Sequence, residues 1–145
     1  MILFIVFLFL AAYNTGCMTA LQLQHYGIYP AVPKEGFADY MSANNRAALV
    51  PTIVPALLVF AASLGLVIFR PPFVTSLQAD GAFFLNAIAA VSTALWQRRL
   101  QGDMALTGYN EEKIALLIRT NWIRTISYWL LSALAISILV RLLRA

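Results

Sequence analysis

Residues 47–69, AALVPTIVPALLVFAASLGLVIF, decide the fold, because they run without a charged side chain for the length a bilayer requires. The hydrocarbon layer is roughly 30 Å thick and takes about 20 helical residues to cross, and amides surrounded by lipid must bond within their own helix. The segment therefore reads as a spanning rod. Pro51 stands near its start, where a missing N–H is harmless, and Pro55 lies a turn deeper, where it should bend the helix. Arg70-Pro71-Pro72 ends it.

Working outward, Thr75-Ser76-Leu77-Gln78 has the form of a capping box that opens a further span over residues 77–97, with Asp80 in its first turn. Asn110, Glu111 and Glu112 start a last helix of about 30 residues, longer than a membrane is thick, whose spanning part covers 120–142. At the other end, residues 2–24 carry no charge. They read as a membrane helix and not as a secretory signal: no Lys or Arg precedes the apolar run, and Asn14-Thr15-Gly16-Cys17 lacks the aliphatic residue of a lipoprotein cleavage box. Pro30 and Pro33 bracket a turn, after which Phe37, Tyr40 and Met41 recur at helical spacing, as in a short amphipathic helix lying on the membrane surface. The expected architecture is all-α: one integral membrane domain over residues 1–145, a four-transmembrane-helix bundle with a short interfacial helix between the first and second spans.

Composition agrees. Of 145 residues, 61% are hydrophobic and 11% charged, against about half and a quarter in soluble domains. The net charge of +4 is dispersed over loops and helix ends and forms no basic surface for phosphates, so nucleic acid is not an expected partner. Membrane lipids and other membrane subunits are. All six acidic residues fall in loops or helix starts, which leaves no carboxylate inside the bundle for a proton relay. With one His and one Cys, no metal site can be assembled without loop carboxylates. No cofactor is expected, though a lipid, quinone or pigment could meet the chain at a contact with a partner chain. Neither a glycine-rich phosphate loop nor a nucleophile elbow occurs.

Four spans put both termini on one side with Arg70, Arg141 and Arg144, and put Lys34, Arg46, Arg98, Arg99, Lys113, Arg119 and Arg124 on the other. Seven cations against three make the 24–46 and 98–119 loops cytoplasmic and the termini periplasmic in a bacterial inner membrane. If Arg46, Arg119 and Arg124 are instead held in a polar site, the margin falls to four against three.

Polar side chains in a spanning helix face the bundle, since hydrocarbon offers them no partner. Asn14 and His25, bordered by Gln22, share a face of the first helix; Asn121, Arg124, Thr125, Tyr128 and Ser132 share one of the last; Asn86 and Thr93 lie on the third. A polar core follows, richest at the cytoplasmic end, where His25, Tyr26, Tyr29, Asn44, Asn45, Arg46, Asn121 and Arg124 should converge. One reading is a pocket open to the headgroups. His25, Tyr29, Asn45, Arg46, Asn121, Arg124 and Tyr128 would line it, an arginine would bind an anionic or carbonyl group, and His25 would be the only side chain that titrates near neutral pH. The other is that these groups satisfy one another and fix helix register, and it is favoured because ionisable groups near helix ends snorkel cheaply. Arg124, without an acidic partner on its own helix, is the best single candidate for a role beyond packing. Candidate catalytic residues are His25, Tyr40, Asn121 and Arg124. The small residues Ala12, Gly16 and Ala20, with Ala61 and Gly65, suit close internal helix packing. Trp96, Trp122, Trp129, Tyr26 and Tyr29 suit an interfacial belt.

Leu21-Gln22-Leu23-Gln24-His25-Tyr26 through Phe37-Ala38-Asp39-Tyr40, then Val54-Pro55, then Thr120-Asn121-Trp122-Ile123-Arg124-Thr125, resemble a family of uncharacterised bacterial four-helix membrane proteins. Its pattern has His-Tyr-Pro after the first helix and Tyr-His-x-x-His in the following loop. Here Gly27 replaces the proline, and Met41 and Asn44 stand at the loop histidine positions, so a metal or haem site in relatives would be lost in this chain. A more distant similarity is to anthrone-oxygenase-like membrane proteins; it implies oxygen chemistry without a cofactor, and no catalytic residue carries over. Three functions fit the sequence: a non-enzymatic accessory or scaffold subunit of a larger membrane complex; a membrane enzyme of oxygenase or oxidoreductase type acting on a lipid-soluble aromatic or quinone-like substrate; and a lipid or small-molecule binding or transport bundle.

Overall fold

The structure, a computed structural model, describes residues 1–144. Among them are five helices: α1 (Ile2–Ala31), α2 (Phe37–Ala47), α3 (Leu49–Ile68), α4 (Ser76–Thr107) and α5 (Glu111–Leu143). All but α2 are long and apolar enough to cross a membrane. The chain is a multi-pass helical membrane protein.

The four long helices form a closed ring in which α1 packs on α3 and α5, and α4 packs on the same two. Phe4, Phe7, Met18, Val59, Leu66 and Leu131 fill its centre. In lipid the gain comes from close contact and not from escape from water. Gly65 illustrates it: a Cβ added there would sit 3.2 Å from Leu3 Cδ1, so the glycine lets α1 and α3 approach. The expected capping box is formed. Thr75 Oγ1 accepts the Gln78 N–H at 3.2 Å, and Gln78 Oε1 accepts the Thr75 N–H at 3.0 Å. Asn110 caps α5 by accepting the Lys113 N–H at 2.9 Å.

The prolines of α3 act as donors withheld. Pro55 has no N–H for the Pro51 carbonyl one turn back, and that oxygen instead accepts the Tyr13 hydroxyl of α1 at 2.9 Å. Asn14 Nδ2 reaches the Pro55 carbonyl at 3.2 Å, which ties the two helices a second time.

Three helices run past the spans, and of these the start of α5 before residue 120 was itself expected from sequence. α1 continues beyond residue 24 to Ala31, and α4 beyond residue 97 to Thr107, so most of 98–119 is helix. Nothing in Arg98–Thr107 stops a helix: one glycine, Gly102, costs only about 1 kcal/mol. The break falls at Gly108, whose φ of 84° and ψ of −158° suit a residue without a Cβ. These extensions and α2 build a cap with its own apolar centre of Tyr26, Tyr29, Phe37, Met41, Met104 and Leu117. α2 forms where the amphipathic helix was expected, but its apolar side chains Phe37 and Met41 are fully buried in the cap and not presented to lipid. Tyr26 and Tyr29, expected in an interfacial belt, are buried there too.

Between bundle and cap, three helices each widen by one residue. The Tyr26 N–H bonds the Leu21 carbonyl, Val54 bonds Leu49, and Arg98 bonds Thr93, five residues back in every case.

Gly108→Ala should lower unfolding stability in mild detergent by about 1–3 kcal/mol, because its φ/ψ is closed to side chains. Gly36→Ala, at φ 81° and ψ 5°, should cost about 1 kcal/mol. Equal midpoints for the two variants would contradict this account.

Candidate functional site

Between the two apolar centres lies a polar layer, to which the widened turns of α1 and α4 contribute Gln22, Thr93 and Gln97. Asn121 of α5 is its hub. Its Nδ2 donates to Gln22 Oε1 of α1 at 2.8 Å, and its Oδ1 accepts from Arg124 Nε at 2.8 Å. Arg124 goes on to Thr93 Oγ1 of α4 at 3.3 Å and, at the limit of a hydrogen bond, to the Tyr26 hydroxyl at 3.5 Å. Gln22 Nε2 turns back to the Ile118 carbonyl at 3.2 Å. One turn spacing along α5 produces this: Asn121 and Arg124 are three residues apart and share a face.

α4 supplies the rest. Ser92 donates to Gln97 Oε1 at 3.3 Å, Gln97 Nε2 to Thr120 Oγ1 at 3.3 Å, and Gln101 Nε2 to the Tyr26 hydroxyl at 3.1 Å. Asn45 of α2 donates to the Gln101 carbonyl at 3.3 Å. Arg124 is buried, and its oxygen partners are all neutral. The one ion pair among the described residues, Lys113 with Asp103, belongs to the cap.

A second set adjoins the first. His25 Nε2 lies 2.9 Å from Asn44 Oδ1 and 3.2 Å from the Tyr29 hydroxyl, and Asn44 Nδ2 donates to that hydroxyl at 3.1 Å. An amide oxygen only accepts, so Nε2 carries the hydrogen in this triangle. The Tyr26 ring, 5.7 Å from His25 and 5.3 Å from Tyr29, stands between the triangle and the arginine.

The residues expected to converge do so in part. His25, Tyr26, Tyr29 and Asn44 meet, Asn121 and Arg124 meet, and Asn45 touches the edge through Gln101. Arg46 does not join them. It is exposed on the last turn of α2, because the register that buries Phe37 and Met41 turns it outward. Tyr40 packs edge-on against Tyr29 at 5.9 Å, and burial there pushes its phenol above the ordinary value. Tyr128 lies deeper, within the apolar centre of the bundle. Arg119 is also exposed, so Arg124 alone of the three doubtful arginines sits in the layer.

Sequence reasoning missed Gln97, Gln101 and Thr120. Reading α4 as ended at residue 97 hid the two glutamines, although Gln97, Gln101 and Met104 have the spacing of one buried helix face. Thr120 looked like any helical hydroxyl.

Fold and site together define a multi-pass helical membrane protein with a buried polar layer at one end of its bundle. No family model, curated protein or solved structure matches the chain.

Asn121→Ala should cost roughly 2–3 kcal/mol in detergent unfolding, since it strips both Gln22 and a buried cation of their partner. Arg124→Met should cost less, because the charge leaves with the side chain and the neutral groups can bond each other. A larger loss for Arg124→Met would show that the guanidinium, not Asn121, holds the layer together.

Proposed function

We propose that this chain is a non-enzymatic accessory or scaffold subunit that packs its helices against other subunits of a membrane complex. The observation that carries this reading is the outer face of α1. Ala12 and Ala20 are exposed there, and nothing lies within 4 Å of where a Cβ on Gly16 would be. Unlike Gly65, this stripe does not serve internal packing, contrary to the expectation from sequence. Small residues four apart let a second helix approach closely in lipid, where helix association depends on contact area. The exposed side chains Ile5, Phe9 and Leu23 border the stripe and supply such area.

The candidate catalytic groups give further support. His25 is engaged by Asn44 and Tyr29, and Arg124 by Asn121, in two sets parted by the Tyr26 ring. An enzyme acting on a quinone-like substrate would need these groups free and facing one cavity.

The same reading places the cap in the cytoplasm of a bacterial inner membrane. With Arg124 in the layer, the cap side carries Lys34, Arg46, Arg98, Arg99, Lys113 and Arg119 against Arg70, Arg141 and Arg144 at the other end, six to three. That excess favours retention beside the cytoplasm.

Gly16→Leu is the direct test. It should leave the unfolding midpoint of the isolated chain nearly unchanged, as the added atoms enter open space, while native mass spectrometry after mild extraction shows the associated subunits gone. A wild-type chain that leaves its own membrane as a lone monomer would defeat the proposal.

A further inference from the structure

Arg124 offers more donors than its surroundings accept. A guanidinium has five N–H groups. Three are directed at Asn121, Thr93 and Tyr26, all neutral, and no carboxylate of the described residues pairs with it. A cation that is 5% exposed in a membrane bundle normally has a counter-charge or lines a polar path.

Its depth suggests where one would come from. Measured along α5 from Leu143, at about 1.5 Å per residue, Arg124 lies about 28 Å from the far end, close to the thickness of the hydrocarbon layer. Arg124 therefore stands at the edge of the hydrocarbon layer, within a side chain's reach of the phosphates of one leaflet.

The bundle is also open sideways at this level. Farther down, Phe60 of α3 and Phe83 of α4 pack at 5.3 Å. Ala90 stands two turns on along the same face of α4, yet it is exposed, and Thr93 beyond it is only half-buried. Opposite them the first turn of α3, Leu49–Ile53, touches α1 and α2 but not α4. The gap between α3 and α4 ends on the Thr93 hydroxyl, with Arg124 behind it.

We propose that Arg124 and Thr93 bind one phosphate group entering between α3 and α4 at the polar layer. The two unused guanidinium hydrogens are its donors, joined by the Thr93 hydroxyl once that hydroxyl turns its hydrogen away from the Ala89 carbonyl, which it meets at 2.8 Å and which keeps the Thr93 backbone N–H as its partner. The phosphate is either that of an anionic lipid headgroup or free phosphate. This inference stands apart from the accessory-subunit reading, since a lone monomer could bind phosphate equally well.

Purified full-length chain in neutral detergent is titrated with phosphatidylglycerol, with diacylglycerol, and with inorganic phosphate at matched ionic strength, and the unfolding midpoint is followed. Phosphatidylglycerol should raise the wild-type midpoint and diacylglycerol should not. Arg124→Gln should weaken the response at least about tenfold, the scale of one lost charge-assisted contact, and Arg46→Gln on the exposed cap should not change it. Inorganic phosphate acting as well as the lipid, with the same dependence on Arg124, identifies free phosphate; action by the lipid alone identifies the headgroup. If Arg124→Gln does not fold, Thr93→Val takes its place, with a loss of about threefold or more expected. No response in wild type, or equal responses in wild type and whichever of these variants is read, overturns the proposal.

Discussion

A single carboxamide in the polar layer fixes the relation between the two halves of this molecule. Asn121 donates from its nitrogen to Gln22 and accepts at its oxygen from Arg124, so one side chain joins α1 to α5 and orients the buried cation. Water could substitute for any of these partners on a soluble protein's surface; hydrocarbon cannot. The layer therefore has to be bonded internally, and its position marks where the lipid-embedded bundle gives way to the cap.

Each side of that layer solves a different problem. Below it the helices are held by close contact, with Gly65 against Leu3 and the aromatic edge of Phe4 against Phe73 at 5.5 Å. Above it Phe37, Met41 and Met104 are fully buried in a second centre where α2 closes over three helix extensions. There the removal of apolar surface from water or headgroups can contribute as it does in a soluble domain. Pro55 contributes by leaving the Pro51 carbonyl for Tyr13 to occupy, and Asn14 adds a second bond between the same two helices.

What the sequence made legible follows the same division. The uncharged runs declare the spanning rods, and the capping residues Thr75 and Asn110 begin their helices as composition suggests. Lipid is a severe selector, so patterns written for it are plain. The cap is less so. Its core residues are a few tyrosines, methionines and a phenylalanine spread over four segments, and Gln97 and Gln101 sit around an Arg98-Arg99 pair that reads as the end of a helix. His25 and Arg124 were readable as inward-facing, but their separation by the Tyr26 ring depends on the rotation that the extra residue in Leu21–His25 introduces. Arg46 was expected inside because its neighbours Asn44 and Asn45 do face the site, whereas the register that buries Phe37 and Met41 turns it outward.

Those widened turns carry a wider implication. An extra residue in a helical turn rotates everything beyond it by about 100° relative to an unbroken helix. Because α1, α3 and α4 each contain one, while α5 contains none, the cap's azimuth is set apart from the bundle's. Lengthening or shortening any one of the three by a single residue would swing its partner surfaces out of phase with the other two. Insertions and deletions in these turns would thus have to arise in concert, whereas the turn at Gly108 could change length with little effect on either half.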